Sequence, residues 1–230
     1  LAKILAPLTL RYTYRFLFIP GAIGSITWLA RNEQQAARIR HGLVVTGVGD
    51  AGSFHYKRSR QGDAEIDQAA EHTLKHAGEP YHVRDFSPYG YDERQYCSPG
   101  FNLPVGVLSR TPHGQYPQYH TSADNMDFIS RESLAGSLQV YLALLRVLEG
   151  NRKYQNLMPK CEVRLGKRGL YRSVGGHAAQ PMNEEAMLWV LSFSDGAHTV
   201  LDIADKSGIA FDAVQHAAET LTQHGVLAGL

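Results

Sequence analysis

Short apolar runs alternate with amphipathic stretches along the first 150 residues of the chain. Several runs are rich in aromatic and β-branched residues and end at glycine, proline or polar residues, which predicts buried strands. Elsewhere, apolar residues recur every three or four positions, which predicts helices. The strands are predicted at residues 12–19, 42–48, 81–86 and 103–108, and the helices at 23–30, 34–40, 64–77 and 130–149. This alternation is typical of an α/β domain with a layered, mostly parallel sheet.

Residues 183–230 show a different pattern, in which short helices follow one another and a strand comes last. Thr199 and Asp202 have the three-residue spacing of a capping box, and Gly208 follows the helix that they begin. Two helices, a glycine turn, a further helix and a strand are typical of a small winged-helix domain. The predicted organisation is an α/β domain at 1–150, a basic linker or strand pair at 151–182, and a winged-helix domain at 183–230.

Charge is distributed unevenly along the chain. The net charge of +1 gives no general attraction to nucleic acid or to anionic membranes, but residues 183–230 carry −6 and the remainder +7. The helix that would read DNA in a winged helix, at 211–224, has no lysine or arginine to meet phosphates. We therefore expect no nucleic-acid partner. We expect instead a protein partner, or a second copy of the chain, at the winged helix.

Cysteine usage and hydropathy indicate a cytoplasmic protein. Cys97 and Cys161 are far apart and form no disulfide framework or metal knuckle. No apolar run approaches the roughly 18 residues that a membrane-spanning helix needs, and no basic-then-apolar leader is present. The chain opens on the apolar run 1–6 rather than on methionine, which indicates the end of a helix and hence a fragment of a longer protein.

Acidic residues and histidine follow the ends of several predicted strands. Asp50 follows the second strand, Asp92 and Glu93 follow the third, and His120 and Asp124 lie in a loop after the fourth. Because ligand sites of parallel sheets lie at the carboxyl ends of the strands, these side chains could converge there. Carboxylate and imidazole ligands suit zinc or manganese, with Asp124 in a supporting role. The alternative is that the aspartates only form turns and that His120 is structural.

Basic residues accompany these acids. Lys57, Arg58 and Arg60 form a cluster, and Arg94 and Arg110 lie near the acidic stretch, so the group could bind an anionic substrate group such as a carboxylate. The alternative for residues 54–60 is an exposed edge strand whose charges prevent aggregation. The substrate class that follows is a small acidic amide or peptide.

Four stretches, at residues 54–67, 89–106, 119–125 and 165–172, carry a resemblance that covers nearly the whole chain. With them, the chain resembles the C-terminal half of the aminopeptidase-like proteins related to zinc-dependent, co-catalytic aminopeptidases. It is most similar to a bacterial group of these proteins that ends in a winged helix and is linked to surface-polysaccharide synthesis. The resemblance implies a zinc-aminopeptidase-like fold, incomplete in this chain.

The resemblance also implies roles for individual residues. Asp50 and His120 match the last two metal-ligand positions of the wider family, and Glu93 stands where that family often has a histidine. The position of the family's Glu-Glu pair reads Pro20-Gly21-Ala22-Ile23-Gly24-Ser25, so its general base and one metal ligand are missing there. Glu93 is the nearby acid that we nominate as a substitute base.

Three functions are compatible with these residues. The first is a metal-dependent, aminopeptidase-like hydrolase of amide or peptide bonds. The second is a non-catalytic binding or assembly protein with a degenerate peptidase fold, which the missing Glu-Glu pair favours. The third is a ligand-sensing regulator, which the winged helix favours.

Overall fold

The computed structural model describes residues 1–170 and 184–230. The chain divides into two compact units, Leu1–Glu149 and Gly150–Leu230. No helix in the described part of the chain combines the length and the apolar character needed to cross a membrane. Each unit is built around a sheet of its own.

The sheet of the first unit has four strands in the order β1-β4-β2-β3. Strand β1 pairs with β4 and β2 pairs with β3 in parallel, whereas β2 and β4 run antiparallel. The predicted α/β class with a mostly parallel sheet is therefore confirmed. The strands are β1 (Gly42–Val45), β2 (Phe54–Lys57), β3 (Tyr81–Arg84) and β4 (Val105–Ser109).

Three helices of the first unit lie close to the positions predicted at 23–30, 64–77 and 130–149, the one predicted at 34–40 is shorter, and the short helix at Glu93–Tyr96 was not predicted. The two longest, α4 and α6, have amphipathic sequences that bury one face each. Ser130 begins α6 as predicted, because its hydroxyl accepts from the backbone N–H of Ser133. The helices are α1 (Ala2–Leu5), α2 (Ile23–Arg31), α3 (Glu33–Ala36), α4 (Glu65–His76), α5 (Glu93–Tyr96) and α6 (Arg131–Gly150).

Alternation along β2 gives the sheet two different faces. Phe54 and Tyr56 are fully buried, and Tyr56 donates to Asp67 on α4. His55 and Lys57 therefore point to the opposite face, since successive side chains of a strand alternate. The alternative of a solvated edge strand is wrong, because β2 lies between β4 and β3 and Lys57 is only 8% exposed.

Residues 12–19 form no strand, contrary to prediction. Their aromatic and β-branched composition is that of a strand, but a strand also needs a neighbour for its backbone groups. The segment is held at its start by Glu149, which accepts from the N–H groups of Arg11 and Tyr12 and from the hydroxyl of Tyr14. Phe18 is 92% exposed. Composition alone therefore does not make a strand of this segment.

Within its described residues, the second unit contains a three-stranded antiparallel sheet and three α-helices. The sheet order is β6-β5-β7, so Lys153–Asn156, which the sequence assigned to the basic linker, lies in the same sheet as the later strands. The rest of that linker includes residues 171–183, which lie outside the described residues. The elements are β5 (Lys153–Asn156), a 3-10 helix (Leu165–Arg168), α7 (Glu184–Phe193), β6 (Asp195–Thr199), α8 (Val200–Ser207), α9 (Phe211–Gln223) and β7 (Leu227–Gly229).

The predicted helix boundaries in this unit are confirmed at atomic detail. The hydroxyl of Thr199 accepts from the N–H of Asp202, and the Asp202 carboxylate accepts from the N–H of Thr199, which is a capping box. Gly208 ends α8 in the left-handed conformation. Two helices, the Gly208 turn, α9 and β7 make the winged-helix domain that the sequence predicted.

Candidate functional site

A pocket of about 410 Å³, open solvent included, lies on the face of the first sheet opposite α4. The pairing of β2 with β4 builds its floor, because His55 lies opposite Ser109 and Lys57 lies opposite Val107. Arg84 on β3 is the parallel neighbour of Lys57 and also lines the pocket. Side chains of the loops that follow β1, β3 and β4 form its walls.

The central feature of the pocket is an ion pair between Lys57 and Glu93. The Lys57 Nζ lies 2.7 Å from Glu93 Oε1 and also donates to the carbonyl oxygens of Ser87 and Tyr89 at 2.7 and 2.8 Å. Three acceptors therefore satisfy the ammonium and connect β2 to the loop before α5. Gly90 is required in that loop, since a Cβ there would overlap the Glu93 carboxylate.

Glu93 has one oxygen without a partner. Its side chain is fully buried, and Oε2 has no hydrogen bond, whereas Oε1 binds Lys57. A buried carboxylate oxygen without a donor is costly, so such an atom is a candidate to meet a donor on a bound molecule. Because Glu93 lines the pocket, the arrangement can accept a hydrogen bond or a proton from a group that enters it.

Two histidines flank this carboxylate in a neutral state. Burial lowers the pKa of His55 below its usual value, against a smaller opposing effect of the Ser53 carbonyl. Burial also lowers the pKa of His113; Glu93 raises it less, and Lys57 lowers it further. Both imidazoles are therefore uncharged at neutral pH and able to donate and accept hydrogen bonds.

Asp50 is buried and engaged in a turn. Its Oδ1 accepts from the Thr111 hydroxyl at 2.5 Å, from the Gly52 N–H at 2.9 Å and from the Thr111 N–H at 3.3 Å. These bonds fasten the loop after β1 to the loop after β4. The predicted ligand Asp50 is thus placed beside the pocket, where Thr111 is one of the lining residues.

His120 and Asp124 are exposed residues of the loop between β4 and α6. The His120 ring stacks on Tyr119 with 3.9 Å between centroids, and its backbone has a positive φ of 57°. Asp124 and Asp50 both raise the pKa of Tyr116, after the larger effect of burial. Their assignment to a metal stays a prediction.

Asp92, predicted as a supporting residue, organises the start of α2. Its Oδ1 accepts from the Ala22 N–H and from the Ser25 hydroxyl, each at 2.7 Å. A carboxylate at that position also interacts favourably with the helix dipole. The side chain next to Glu93 therefore fixes the stretch 20–25 against the loop before α5.

The five basic residues predicted to bind an anion are dispersed. Lys57 lines the pocket and is bound to Glu93, whereas Arg58 forms ion pairs with two carboxylates of its own unit. Arg60 donates to the side chain of an asparagine, and Arg94 is exposed. Arg110 is buried against a serine hydroxyl, a backbone carbonyl and a glutamate. Substrate binding by the four arginines stays a prediction.

Several lining residues were not predicted from the sequence. His55, Arg84 and His113 meet at the pocket from β2, β3 and the loop after β4. The alternation Phe54-His55-Tyr56-Lys57 contained a signal, since it separates an aromatic face from a polar one. No local pattern identifies His113 or Arg84, because each is brought to the pocket by strand pairing.

The described residues do not form a complete metal site. Within 1–170 and 184–230, no three histidine, cysteine, aspartate or glutamate side chains are grouped so as to hold a metal ion. Asp50 already accepts three hydrogen bonds, and the ammonium of Lys57 beside Glu93 opposes a second cation there. The residues present therefore do not by themselves fit the zinc or manganese that the resemblance implies.

Comparison with known proteins identifies relatives of both units. The family model described as "Domain of unknown function (DUF4910)" matches residues 1–151, and the one described as "winged helix-turn-helix" matches 152–229. A curated relative from Clostridium acetobutylicum, "Putative polysaccharide biosynthesis protein with aminopeptidase-like domain", is 53% identical over 221 residues. The match covers 96% of this chain and 51% of that protein.

A solved structure is similar to this chain in fold. The crystal structure of a "putative peptidase" from Clostridium acetobutylicum superposes with a TM-score of 0.92 at 49% identity. The superposition covers 100% of this chain and 51% of that one. The chain therefore spans about half the length of the relatives it matches, and its similarity to them holds for both sequence and fold.

Proposed function

This chain belongs to the family described as "Domain of unknown function (DUF4910)", and from that premise we propose that it forms part of an aminopeptidase-like hydrolase of amide or peptide bonds. The relatives support the reaction class, since one is named for an aminopeptidase-like domain and the other as a "putative peptidase". In this proposal the pocket on the first sheet binds the bond to be cleaved.

The unpaired Oε2 of Glu93 is the observation that carries the proposal. An amide substrate brings an N–H group, and hydrolysis requires that a water molecule lose a proton; a buried carboxylate with a vacant oxygen can serve either need. Lys57 holds the carboxylate in place through Oε1. Neutral His55 and His113 supply further hydrogen bonds to the same volume.

The substrate and its setting follow from the pocket and the relatives. Arg84 adds a positive charge at the pocket beside the Lys57–Glu93 ion pair, which suits the acidic amide or peptide predicted from the sequence. The curated relative is named for polysaccharide biosynthesis, which supports a role of the proposed reaction there. We place that reaction in the cytoplasm, in keeping with the two free cysteines.

The proposal that zinc or manganese is bound rests only on the resemblance to zinc-dependent aminopeptidases. Asp50 and His120 are its two candidate ligands in the chain, and further donors are needed beyond the described residues. No chemical step is therefore assigned to a metal. Metal analysis of the purified protein, before and after loading with Zn²⁺ or Mn²⁺, tests this part, and absence of bound metal under every condition would remove it.

Substitution of Glu93 tests the catalytic part. Glu93→Gln keeps the side-chain shape but removes the base, so turnover of acidic aminoacyl amides should fall by about 100-fold or more. Glu33→Gln, a substitution at an exposed residue on α3, is the matched control and should retain activity. Turnover that survives Glu93→Gln, or no turnover with or without added metal, would contradict the proposal.

A second function, binding without catalysis, is favoured by two observations. The stretch Pro20–Ser25 lacks the paired glutamates of the aminopeptidases, and Lys57 occupies one oxygen of Glu93. A protein of this kind would bind the same amides without cleaving them. Turnover that His120→Ala abolishes would exclude this function.

A further inference from the structure

A continuous group of aromatic rings stands beside the pocket. Tyr91 contacts His113 edge-on at 4.4 Å between centroids, and His113 lies 5.7 Å from Tyr89 and 6.1 Å from Tyr119. Tyr119 in turn meets Tyr116 at 5.6 Å. We call these five residues the aromatic wall. Phe128 and His120 extend it by stacking on Tyr116 and Tyr119.

The aromatic wall is continuous with the pocket. Tyr91, His113 and Tyr116 line the pocket themselves. Tyr89 is fixed by the same ion pair that forms the pocket's centre, because its carbonyl oxygen accepts from Lys57. A molecule bound at Glu93 would therefore extend over these rings.

The rings are partly exposed and surrounded by polar groups. Tyr89 is 77% exposed although its backbone is fixed, and the other four rings are half-buried. The loop that contains Tyr116 and Tyr119 also carries exposed polar residues, among them Gln115, Thr121 and Asn125. Rigid rings lose little conformational entropy on contact, so they are suited to hold a ligand.

This combination selects one class of ligand. An apolar side chain of a peptide binds best in a closed apolar cavity, whereas this surface is open and polar at its edges. A sugar ring has C–H groups on its faces, which pack on aromatic rings, and hydroxyl groups on its rim, which need polar partners. Burial keeps His113 uncharged, so that it can bond to hydroxyls as donor and acceptor.

We propose that the aromatic wall binds a sugar ring, so that the molecule bound at Glu93 is an amide attached to a sugar, of the N-acylated amino-sugar class. The choice of substrate rests on the function proposed above, whereas the sugar-binding surface rests on the rings alone. The amide then lies at the unpaired oxygen of Glu93 and the sugar ring at Tyr89 and Tyr116.

Binding of N-acetylglucosamine to the purified chain tests the proposal. Saturation-transfer NMR should show saturation of the sugar's ring C–H protons, and a titration should give a dissociation constant. Tyr89→Ala and Tyr116→Ala should each raise that constant about fivefold, since they remove one stacking ring. Tyr116→Phe should bind like the wild type, because the ring rather than the hydroxyl makes the contact.

Tyr81→Ala is the matched control. Tyr81 is a partly exposed tyrosine of the same unit, on β3, and lies outside the aromatic wall. Its replacement should leave sugar binding unchanged. Equal weakening by Tyr81→Ala and Tyr89→Ala, or failure of the wild type to bind the sugar, would overturn the proposal.

The two proposals fail separately. If the protein binds the sugar through Tyr89 but hydrolyses no amide, the sugar-binding proposal is supported and the hydrolase proposal is contradicted. If it hydrolyses aminoacyl amides through Glu93 but does not bind N-acetylglucosamine, the hydrolase proposal is supported and the sugar-binding proposal is contradicted. Binding of tyrosine- or leucine-containing dipeptides at the aromatic wall, in place of the sugar, would also overturn the sugar assignment.

Discussion

At the scale of single residues, the buried carboxylate of Asp67 holds the start of α4 against the loop after β2. Asp67 is fully buried and accepts from the Tyr56 hydroxyl, from the N–H and hydroxyl of Ser59, and from the N–H of Ala64. Asp63 lies just before the start of α4, and aspartate is a favoured N-cap residue. Asp63 is exposed, and Asp67 makes the contact, because only a residue on the inner face of α4 reaches the loop after β2.

His41 gives the first unit a predictable dependence on pH. Burial lowers the pKa of His41 from 6.5, Glu65 at 3.6 Å opposes this, and Arg11 and Arg40 reinforce it. The unfolded chain therefore binds more protons than the folded one just below pH 6.5, so stability is complete above that value and falls as the pH drops. His55 and His113 act in the same direction.

Urea unfolding at about pH 7.5 and about pH 5.5 measures this effect. Trp28 of the first unit reports it in a Trp189→Phe background, since the chain has two tryptophans. The free energy of unfolding should be lower at the acidic pH, and His41→Gln should reduce the difference. Gln115→Ala, at an exposed residue that does not titrate, is the control and should leave the difference unchanged. Greater stability at the acidic pH would contradict the prediction.

At the scale of elements, partners decide what a segment becomes. Residues 42–48 and 81–86 were predicted as strands and contain β1 and β3, because each has a neighbour in register. Residues 12–19 have the same composition and form no strand. Hydrophobic pattern thus indicates an extended conformation, and the presence of a neighbouring strand is a property of the fold.

Strand β4 depends on a glycine that faces a tyrosine. A Cβ at Gly106 would overlap the hydroxyl and ring of Tyr56, which is fully buried and bonded to Asp67. Gly106→Ala should lower the free energy of unfolding of the first unit by about 2 kcal/mol, as overpacking does. The Trp28 urea titration measures it. Gly100→Ala, where nothing lies within 4 Å, is the control; an equal effect there would contradict this explanation.

At the scale of the whole molecule, the winged-helix domain raises the question of DNA. Exposed residues of α9 include Asp212, His216 and Glu219, and the helix contains no lysine or arginine. Binding to phosphates requires such cations and weakens with salt. A protein partner at this acidic helix, rather than nucleic acid, stays a prediction.

A DNA titration tests the prediction that the winged-helix domain does not bind DNA. Fluorescence anisotropy with a labelled duplex should show no affinity that changes with salt between about 50 and about 200 mM. The result is expected because the exposed acids of α9 repel the phosphates. A binding constant whose logarithm falls linearly with the logarithm of the salt concentration would contradict this prediction and would support the ligand-sensing regulator. Lys206→Ala is the control. Lys206 is the base nearest to α9 in the sequence, so the variant shows whether any weak binding depends on that side chain.

Sequence by itself determined the features that local pattern and family resemblance carry. The helices α4 and α6, the capping box at Thr199 and the winged helix all follow from residues close together in the chain. The sequence also indicated Glu93 as a base and Lys57 as part of an anion-binding cluster, but not that the two form an ion pair. Periodicity and capping are local, so short stretches are sufficient to reveal them.

Only the tertiary structure decided how these residues meet. Lys57 and Glu93 lie 36 positions apart, and strand pairing together with the loop before α5 brings their charged atoms to 2.7 Å. The same pairing brings His55, Arg84 and His113 to the pocket, and loop packing assembles the aromatic wall. Such contacts depend on register and topology, which no short stretch of sequence contains.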